Sequence, residues 1–452
     1  MSKRHDKMEL LSSAPVPKAL LALGIPIMIG MLINALYNLV DAYFVGGLGE
    51  SQMGAISVVF PLGQVVVGLG LMFGNGAASY LSRLLGSGKN EAANKVASTA
   101  LYGSVLIGAA LIVGASIFLE PILTMLGATE TIMSYAVTYA RIYVLSSIFN
   151  VFNVTMNNIV SSEGAAKTTM CALLLGAVLN IGLDPVFIYA LDMGVAGAAI
   201  ATAISQFVST LVYLTYVFRK KSAFTFSIRE FAPTKQMMAE ILKIGVPTLT
   251  FQVLTSVSIA LINRAASNYG DAVIAGMGAV TRVTSMGTLV VFGFLKGFQP
   301  IAGFSYGAKK FDRLKEAIRR STIWSTIFCV ITGLFMAIFS TQIISAFTDG
   351  NAEMISVGAS SLRANGISFI LFGFYTVYSS LLLALGKGAA GFFLGACRQG
   401  ICFVPVILLL PALCGLNGIL YAQPIADAVS AIITVLMAIR LHRELAKSAL
   451  AI

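Results

Sequence analysis

The chain has 452 residues, of which 57% are hydrophobic and 11% are charged, and its formal net charge is +11. Soluble proteins carry about 25% charged residues, so this composition excludes a soluble domain and predicts an all-α integral membrane protein. The five cysteines lie in apolar runs and the two histidines, His5 and His442, lie near the chain ends. We therefore expect no disulfide framework, no cofactor, no nucleophile–base pair and no enzyme.

Twelve apolar runs follow one another along the chain, bounded by charged residues or turn signals. They cover residues 18–47, 52–84, 92–118, 130–160, 166–190, 194–218, 238–268, 272–305, 314–341, 353–384, 388–412 and 416–441. Runs near 30 residues predict transmembrane helices that tilt, bend or protrude. No cleavable signal peptide is expected, because a polar tail precedes a run that is too long for one.

The basic residues alternate from loop to loop. Most of the 30 Lys and Arg residues lie in the N-terminal tail and in every second loop, and the intervening loops hold none. This asymmetry predicts a multi-pass protein of the cytoplasmic (inner) membrane with both termini in the cytoplasm. Basic loops beside an anionic leaflet also explain the net charge without a nucleic-acid partner.

The chain contains an internal repeat. A shift of 221 residues places Gly24 and Pro26 on Gly245 and Pro247 without a gap. Each half has six predicted helices, so both halves insert in the same orientation about an axis along the membrane normal. We predict two pseudo-twofold-related six-helix lobes. The boundaries are residues 1–218 for the N-terminal lobe, 219–237 for a cytoplasmic linker and 238–452 for the C-terminal lobe.

The first helix carries one polar face. Asn34, Tyr37, Asn38 and Asp41 recur at i, i+3, i+4 and i+7, and Pro26 lies earlier in the same helix. A carboxylate at membrane depth is costly, and its default interpretation is functional. The alternative is that Asp41 lies near the headgroups and only caps the helix end.

The fifth helix supplies a second acid. Asn180 and Asp184 share a helix face, and Pro185 predicts a kink or the end of regular helix. Thr202 follows on the sixth helix. Further polar residues on the fourth helix are Tyr139, Asn153 and Asn157.

The acid pair is confined to one half, because Asp41 aligns with Ile262 and Asp184 with Pro405. Two carboxylates with amide and hydroxyl oxygens either ligate a small hard cation or share a proton. We therefore predict that Asp41 and Asp184 form a coupling-ion site for Na⁺ or H⁺. The alternative is a structural hydrogen-bond network that fixes helix packing.

Two stretches carry a family resemblance. IPIMIGMLINALYNLVDAYFVG (25–46), NIGLDPVFIYALDMGVAGAAIATAISQ (180–206) and the repeat resemble MATE (multidrug and toxic compound extrusion) transporters over roughly residues 15–441. The chain is similar to the DinF-like and related bacterial multidrug branches. The resemblance implies a V of two lobes around a central cavity and alternating access. It also implies antibiotic-resistance efflux of cationic or amphipathic compounds against H⁺ or Na⁺.

The resemblance also assigns residues. The matches to the family's ion-binding positions, which include a possible Na⁺ site, are Asp41, Asn180, Asp184 and Thr202. The residues of the supporting polar network are Tyr37, Tyr139, Asn157 and, on the same face as Asp41, Asn34. Pro26 matches a conformational hinge. The eighth and tenth helices have no acid in their membrane runs, unlike the NorM-like branch, which argues against a sodium site in the C-terminal lobe.

Other functions remain open from the sequence. A flippase for a lipid-linked precursor has similar lobes, but it is expected to carry a strongly basic cavity. A channel is expected to repeat its pore-lining residues in both lobes, and a membrane scaffold needs no buried acids.

The expected partners are drug-like cations and membrane lipid. A monomer is expected because one two-lobed chain encloses the cavity.

Overall fold

The computed structural model describes residues 2–48, 50–126, 128, 130–348 and 350–450. The helices are α1 (Ser2–Ser12), α2 (Val16–Gly46), α3 (Glu50–Gly86), α4 (Asn90–Ile117), α5 (Leu119–Met125), α6 (Glu130–Ser162), α7 (Ala166–Pro185), α8 (Gly194–Phe218), α9 (Lys235–Ser267), α10 (Asp271–Gly307), α11 (Phe311–Ile338), α12 (Ser340–Ser345), α13 (Ala352–Ala384), α14 (Gly388–Ala396), α15 (Phe403–Cys414) and α16 (Leu416–Leu450).

The predicted number of membrane helices is confirmed, since twelve helical segments in this part of the chain are long and apolar enough to span a bilayer. The fifth segment is α7 continued by a π-helical turn, Val186–Ala190. The eleventh is α14 and α15 joined by another π-helical turn, Cys397–Ile401.

The structure adds helices that the apolar runs did not predict. The N-terminal tail folds as α1, because its Leu11 side chain is fully buried in the main core. The last helix continues to Leu450 instead of ending at residue 441. Leu441 and Leu445 are both buried, so the packed stripe of α16 extends past the apolar run.

The helix contacts reproduce the repeat. Within the first half, α3 packs on α6 and α2 packs on α7; within the second half, α10 packs on α13 and α9 packs on α14. The halves meet through α2 with α10 and through α3 with α9, which are repeat-related pairs. The fold is therefore two six-helix lobes related by a pseudo-twofold axis.

Glycines allow the lobes to approach closely. A Cβ atom at Gly297 would lie 2.5 Å from the backbone nitrogen of Gly24, and one at Gly245 would lie 2.1 Å from the carbonyl oxygen of Met72. Gly24 and Gly245 are repeat-related, as are Gly76 and Gly297. Only glycine fits such a contact, so the same residue type recurs at both crossings.

We call the end of the bundle where α3, α8 and α10 finish and α9 and α11 begin the basic face. There, a Cβ atom at Gly307 would lie 2.1 Å from the carbonyl oxygen of Arg83. Arg83 also forms a 3.1 Å ion pair with Glu240 across the lobes. Hydrogen bonds between the lobes extend only part of the way from this face. The one farthest from it, among the described residues, joins Gln252 to Gln64 at 3.4 Å. The lobes are thus closed against each other at the basic face.

Candidate functional site

The predicted site lies inside the N-terminal lobe, where α2, α7 and α8 come together. The Nδ2 of Asn180 donates to Asp184 Oδ1 at 3.4 Å and lies 3.4 Å from Thr202 Oγ1. Asp184 is 0% exposed and Asn180 is 1% exposed. The helical spacing of Asn180 and Asp184 directs both side chains toward α8, as the sequence indicated.

Asp41 completes this group from α2. Its carboxyl group is within hydrogen-bonding reach of Asp184, and both acids interact electrostatically with Tyr37 and Tyr139. A hydrogen bond between two carboxyl groups requires one proton, because ionised carboxylates only accept. A cation between the two groups would serve the same purpose.

Several buried oxygens at this point have no hydrogen-bond donor within the described residues. They are Asp41 Oδ1, Asn180 Oδ1 and Asp184 Oδ2. A buried acceptor without a partner costs about 1–3 kcal/mol, so a proton or a cation among these three oxygens would offset an unfavourable energy. No group of three His, Cys, Asp or Glu in this part of the chain has metal-site geometry. The chemistry of these carboxylate and amide oxygens suits a proton or a hard cation.

The helix carrying Asp184 changes geometry directly after it. As predicted, regular α-helix ends at Pro185, and the chain continues as the π-helical turn Val186–Ala190. The proline lacks a backbone N–H, and the π turn re-forms the hydrogen bonds with a longer spacing. The Tyr189 side chain of this turn donates to the carbonyl oxygen of Phe44, which ties the turn to α2.

Two residues of the predicted supporting network lie apart from the acids. The carbonyl oxygen of Asn157 accepts from Ser161 Oγ at 2.6 Å, and its side chain contacts Tyr213. The carbonyl oxygen of Asn34 accepts from Asn38 Nδ2 at 2.7 Å. In the residues that the structure covers, no hydrogen bond joins Asn157 or the Asn34 side chain to Asp41 or Asp184. Their role in ion coupling stays a prediction.

Sequence reasoning missed one aromatic residue of this site. Tyr143 stacks on Tyr139 with ring centroids 6.1 Å apart and planes 12° from parallel. It also interacts electrostatically with Tyr37. The available signal was spacing, since Tyr139 and Tyr143 are four residues apart on α6 and share a face.

The predicted hinge lies where the lobes cross. Pro26 is inside α2, between Gly24, which contacts Gly297, and Met28, which contacts Gly293. Because proline removes one intrahelical hydrogen bond, α2 bends more easily here than elsewhere. A bend at Pro26 would change both the crossing with α10 and the position of Asp41, and the hinge role stays a prediction.

The C-terminal lobe contains a buried acid at another place in the repeat, and its surroundings differ. Asp427 on α16 accepts from Arg398 Nε and Gln423 Nε2, both at 2.8 Å, and from Ser368 Oγ at 2.9 Å. The Arg398 guanidinium also lies 4.7 Å from the ring centroid of Phe372. This acid therefore has a permanent cation and filled acceptors, whereas the N-terminal pair has neither.

Two repeat-related helical lobes, closed at one end and with an acid pair inside one lobe, define a secondary membrane transporter. The MatE family model matches residues 26–186 and again residues 247–409, one stretch in each lobe. The chain belongs to this family, the MATE transporters.

Individual relatives cover nearly the whole chain. The chain is 30% identical over 445 residues to the multidrug export protein MepA of Staphylococcus saprophyticus subsp. saprophyticus, with 98% of each chain covered. It is similar to an outward-facing multidrug resistance MATE transporter of the MOP superfamily (TM-score 0.92, 28% identity, 97% and 98% covered). A MATE transporter in a bent conformation gives a TM-score of 0.91 at 27% identity, with 98% and 99% covered. These relatives are transporters and not enzymes.

Proposed function

We propose that this chain exports cationic or amphipathic organic compounds in exchange for H⁺ or Na⁺. The observation that carries the proposal is the set of buried oxygens without donors at Asp41, Asn180 and Asp184. Relatives described as multidrug export proteins support the class of substrate.

The charge of the acid pair makes binding of the ion and binding of the drug oppose each other. With the ion absent, the two carboxylates inside the lobe favour a cationic compound in the cavity and disfavour an anion. Entry of H⁺ or Na⁺ neutralises that charge and lowers the affinity for the drug. Export of the drug is therefore coupled to entry of the ion, because each of the two binds best to the protein when the other is absent.

The ion also links two helices mechanically. Asp41 comes from α2, whereas Asn180 and Asp184 come from α7, so a shared proton or cation pulls these helices together. We propose that Pro26 absorbs the resulting bend in α2 and changes the α2–α10 crossing. Similar MATE transporters solved in a bent and in a straight conformation support two states of this fold.

We propose that the basic face lies in the cytoplasm, because basic residues concentrate on the cytoplasmic side of a membrane protein. Both termini are then cytoplasmic, and the protein lies in the cytoplasmic (inner) membrane. The closed basic face then corresponds to a state open to the outside, in line with the similarity to an outward-facing transporter. Alternating access is a rocking of residues 1–218 against residues 238–452 about the shared glycine crossings. One chain surrounded by lipid suffices for this motion.

The test is export of a fluorescent organic cation from proteoliposomes under separately imposed Na⁺ and H⁺ gradients. We expect one gradient to drive export, and Asp41→Asn to abolish it. Asp192→Asn is the matched control, because Asp192 is an exposed loop acid between α7 and α8. Undiminished export by Asp41→Asn would contradict the ion site.

The lipid-linked precursor flippase is the alternative that the same vesicles distinguish. Folded wild-type protein that exports no cation under either gradient, but moves a lipid pyrophosphate probe across the bilayer, would replace the antiport proposal.

A further inference from the structure

A groove runs between α13 and α16 where these helices reach the basic face. Its volume is about 520 Å³. The side chains that line it are Phe374, Tyr378, Val435, Ala438, Ile439, His442, Arg443 and Ala446. The positions on α16 recur at i, i+3, i+4, i+7, i+8 and i+11, so they form one continuous face of that helix.

The groove changes from apolar to polar along its length. Val435 and Ile439 at the membrane end are 45% and 46% exposed, which leaves hydrocarbon side chains open to the bilayer. His442 and Arg443 lie at the other end. The buried Tyr378 bridges the two parts, since its ring packs on Phe374 at 4.9 Å between centroids.

The polar end is fixed in position and positively charged. The Tyr378 hydroxyl and His442 Nε2 are 2.8 Å apart, which holds the imidazole at the rim of the groove. Arg443 forms no ion pair with any described carboxylate. The neighbouring acid, Glu444, is paired with Lys387 and lies 3.9 Å from Arg440, so it does not neutralise Arg443.

We propose that this groove binds an anionic phospholipid of the leaflet at the basic face. The lipid phosphate lies against Arg443 and His442, and one acyl chain follows Phe374, Val435 and Ile439. Charge complementarity selects the headgroup, since basic pockets between transmembrane helices bind anionic lipids. The apolar wall selects a lipid over a free anion, because inorganic phosphate gains nothing from exposed hydrocarbon. The proposal does not depend on the substrate or the coupling ion.

The experiment is native mass spectrometry of the purified full-length protein with phosphatidylglycerol or phosphatidylethanolamine of identical acyl chains. We expect the wild type to retain phosphatidylglycerol about fivefold better, because one basic side chain near an anionic headgroup contributes on that order. Arg443→Gln is expected to remove this preference. The matched control is Arg440→Gln, which changes a charge three residues earlier whose side chain is 85% exposed and outside the groove.

The outcomes separate a built site from general surface charge. Loss of the preference in Arg443→Gln and its retention in Arg440→Gln supports the site. An equal loss in both variants, or an unchanged preference in Arg443→Gln, overturns it. A second variant, Val435→Phe, enlarges a side chain that is 45% exposed in the apolar half of the groove without changing charge, and it is expected to weaken retention of both lipids.

Thermal unfolding in the same detergent completes the test. It shows that each variant is folded, and phosphatidylglycerol is expected to raise the melting temperature of the wild type and of Arg440→Gln but not that of Arg443→Gln. An equal rise with inorganic phosphate would assign the basic end to a free anion and overturn the lipid proposal.

Discussion

Asp184 and Asp427 are both buried acids among the membrane helices, yet only Asp427 has a cation beside it. Arg398 contacts Asp427 at 2.8 Å. In the described part of the chain, no Lys or Arg lies within ion-pair distance of Asp41 or Asp184. Asp427 therefore has a fixed counter-charge, whereas Asp41 and Asp184 have none among the described residues.

The ion pair of the C-terminal lobe gives a stability prediction. Arg398→Met leaves Asp427 buried without its cation, which is expected to cost about 3–5 kcal/mol and to lower the melting temperature. Adding Asp427→Leu removes the uncompensated charge and is expected to restore most of the loss. Thermal unfolding of both variants in detergent measures this, and a double variant less stable than Arg398→Met would contradict the account.

The sequence predicts the acids better than their partners. Asp41 and Asp184 stand out because carboxylates are rare in membrane helices. Asp427 and Arg398 were equally visible, but their pairing depends on how α16 packs beside the π-helical turn Cys397–Ile401. Residues 29 positions apart carry no local signal that they meet.

At the scale of helices, length and apolar composition predict all twelve membrane segments. They do not predict α1, α5 or α12, since helices this short are marginal by themselves and form only against neighbouring structure. Pro185 predicts a kink or the end of regular helix, but not the π-helical turn that follows it. The turn at Cys397–Ile401 was not foreseen, because no proline lies within it.

The α2–α10 crossing allows a test of close packing with a matched control. Gly297→Ala would place a methyl group 2.5 Å from the Gly24 nitrogen, so we expect a loss of about 1–3 kcal/mol and slower export. Gly278→Ala on the same helix has no neighbour within 4 Å and is expected to be neutral or slightly stabilising. Melting temperature and export rate measure the pair, and equal effects in both would contradict the packing argument.

At the scale of the whole molecule, α1 connects the lobes across the closed basic face. Lys7 Nζ donates to the Lys221 carbonyl oxygen at 2.9 Å and to Tyr216 of the N-terminal lobe. Arg313 of the C-terminal lobe donates to the carbonyl oxygens of Leu10 and Leu11 at 2.9 and 3.1 Å, and also to that of Ala14. Opening of this face must break one of these attachments.

Weakening the second attachment, which also includes a 2.8 Å hydrogen bond from Lys310 Nζ to the Ser12 carbonyl oxygen, is expected to loosen α1. Arg313→Gln loses charge-assisted hydrogen bonds, so amide exchange in α1 should accelerate by about tenfold. Arg319→Gln is the control, because Arg319 is exposed on the same helix. Mass-spectrometric hydrogen exchange measures both variants. If amide exchange in α1 is as slow in Arg313→Gln as in the wild type, contacts other than those of Arg313 hold α1 in place.

The same face predicts a pH dependence. Burial raises the pKa of Glu163 above its ordinary value, although Lys7 and hydrogen bonds from Tyr216, Ala223 and Ser222 partly offset that rise. The native state then holds the proton more tightly than the unfolded chain. The stability from this group is present at acid pH and is lost as pH rises through the raised pKa.

Glu163→Gln, which resembles the protonated acid, tests this sign. Between about pH 4 and about pH 8 the melting temperature of the wild type should fall relative to that of Glu163→Gln. The opposite trend would mean that the hydrogen bonds, and not burial, dominate at Glu163.

The central claim is that one acid pair in the N-terminal lobe links drug and ion. The most direct measurement is the affinity of a fluorescent cation for purified protein, titrated with H⁺ and separately with Na⁺, in the wild type, Asp41→Asn and Asp192→Asn. We predict that one ion weakens cation binding at least about tenfold in the wild type and in Asp192→Asn, and has no effect in Asp41→Asn. The same ion dependence in Asp41→Asn would contradict the claim.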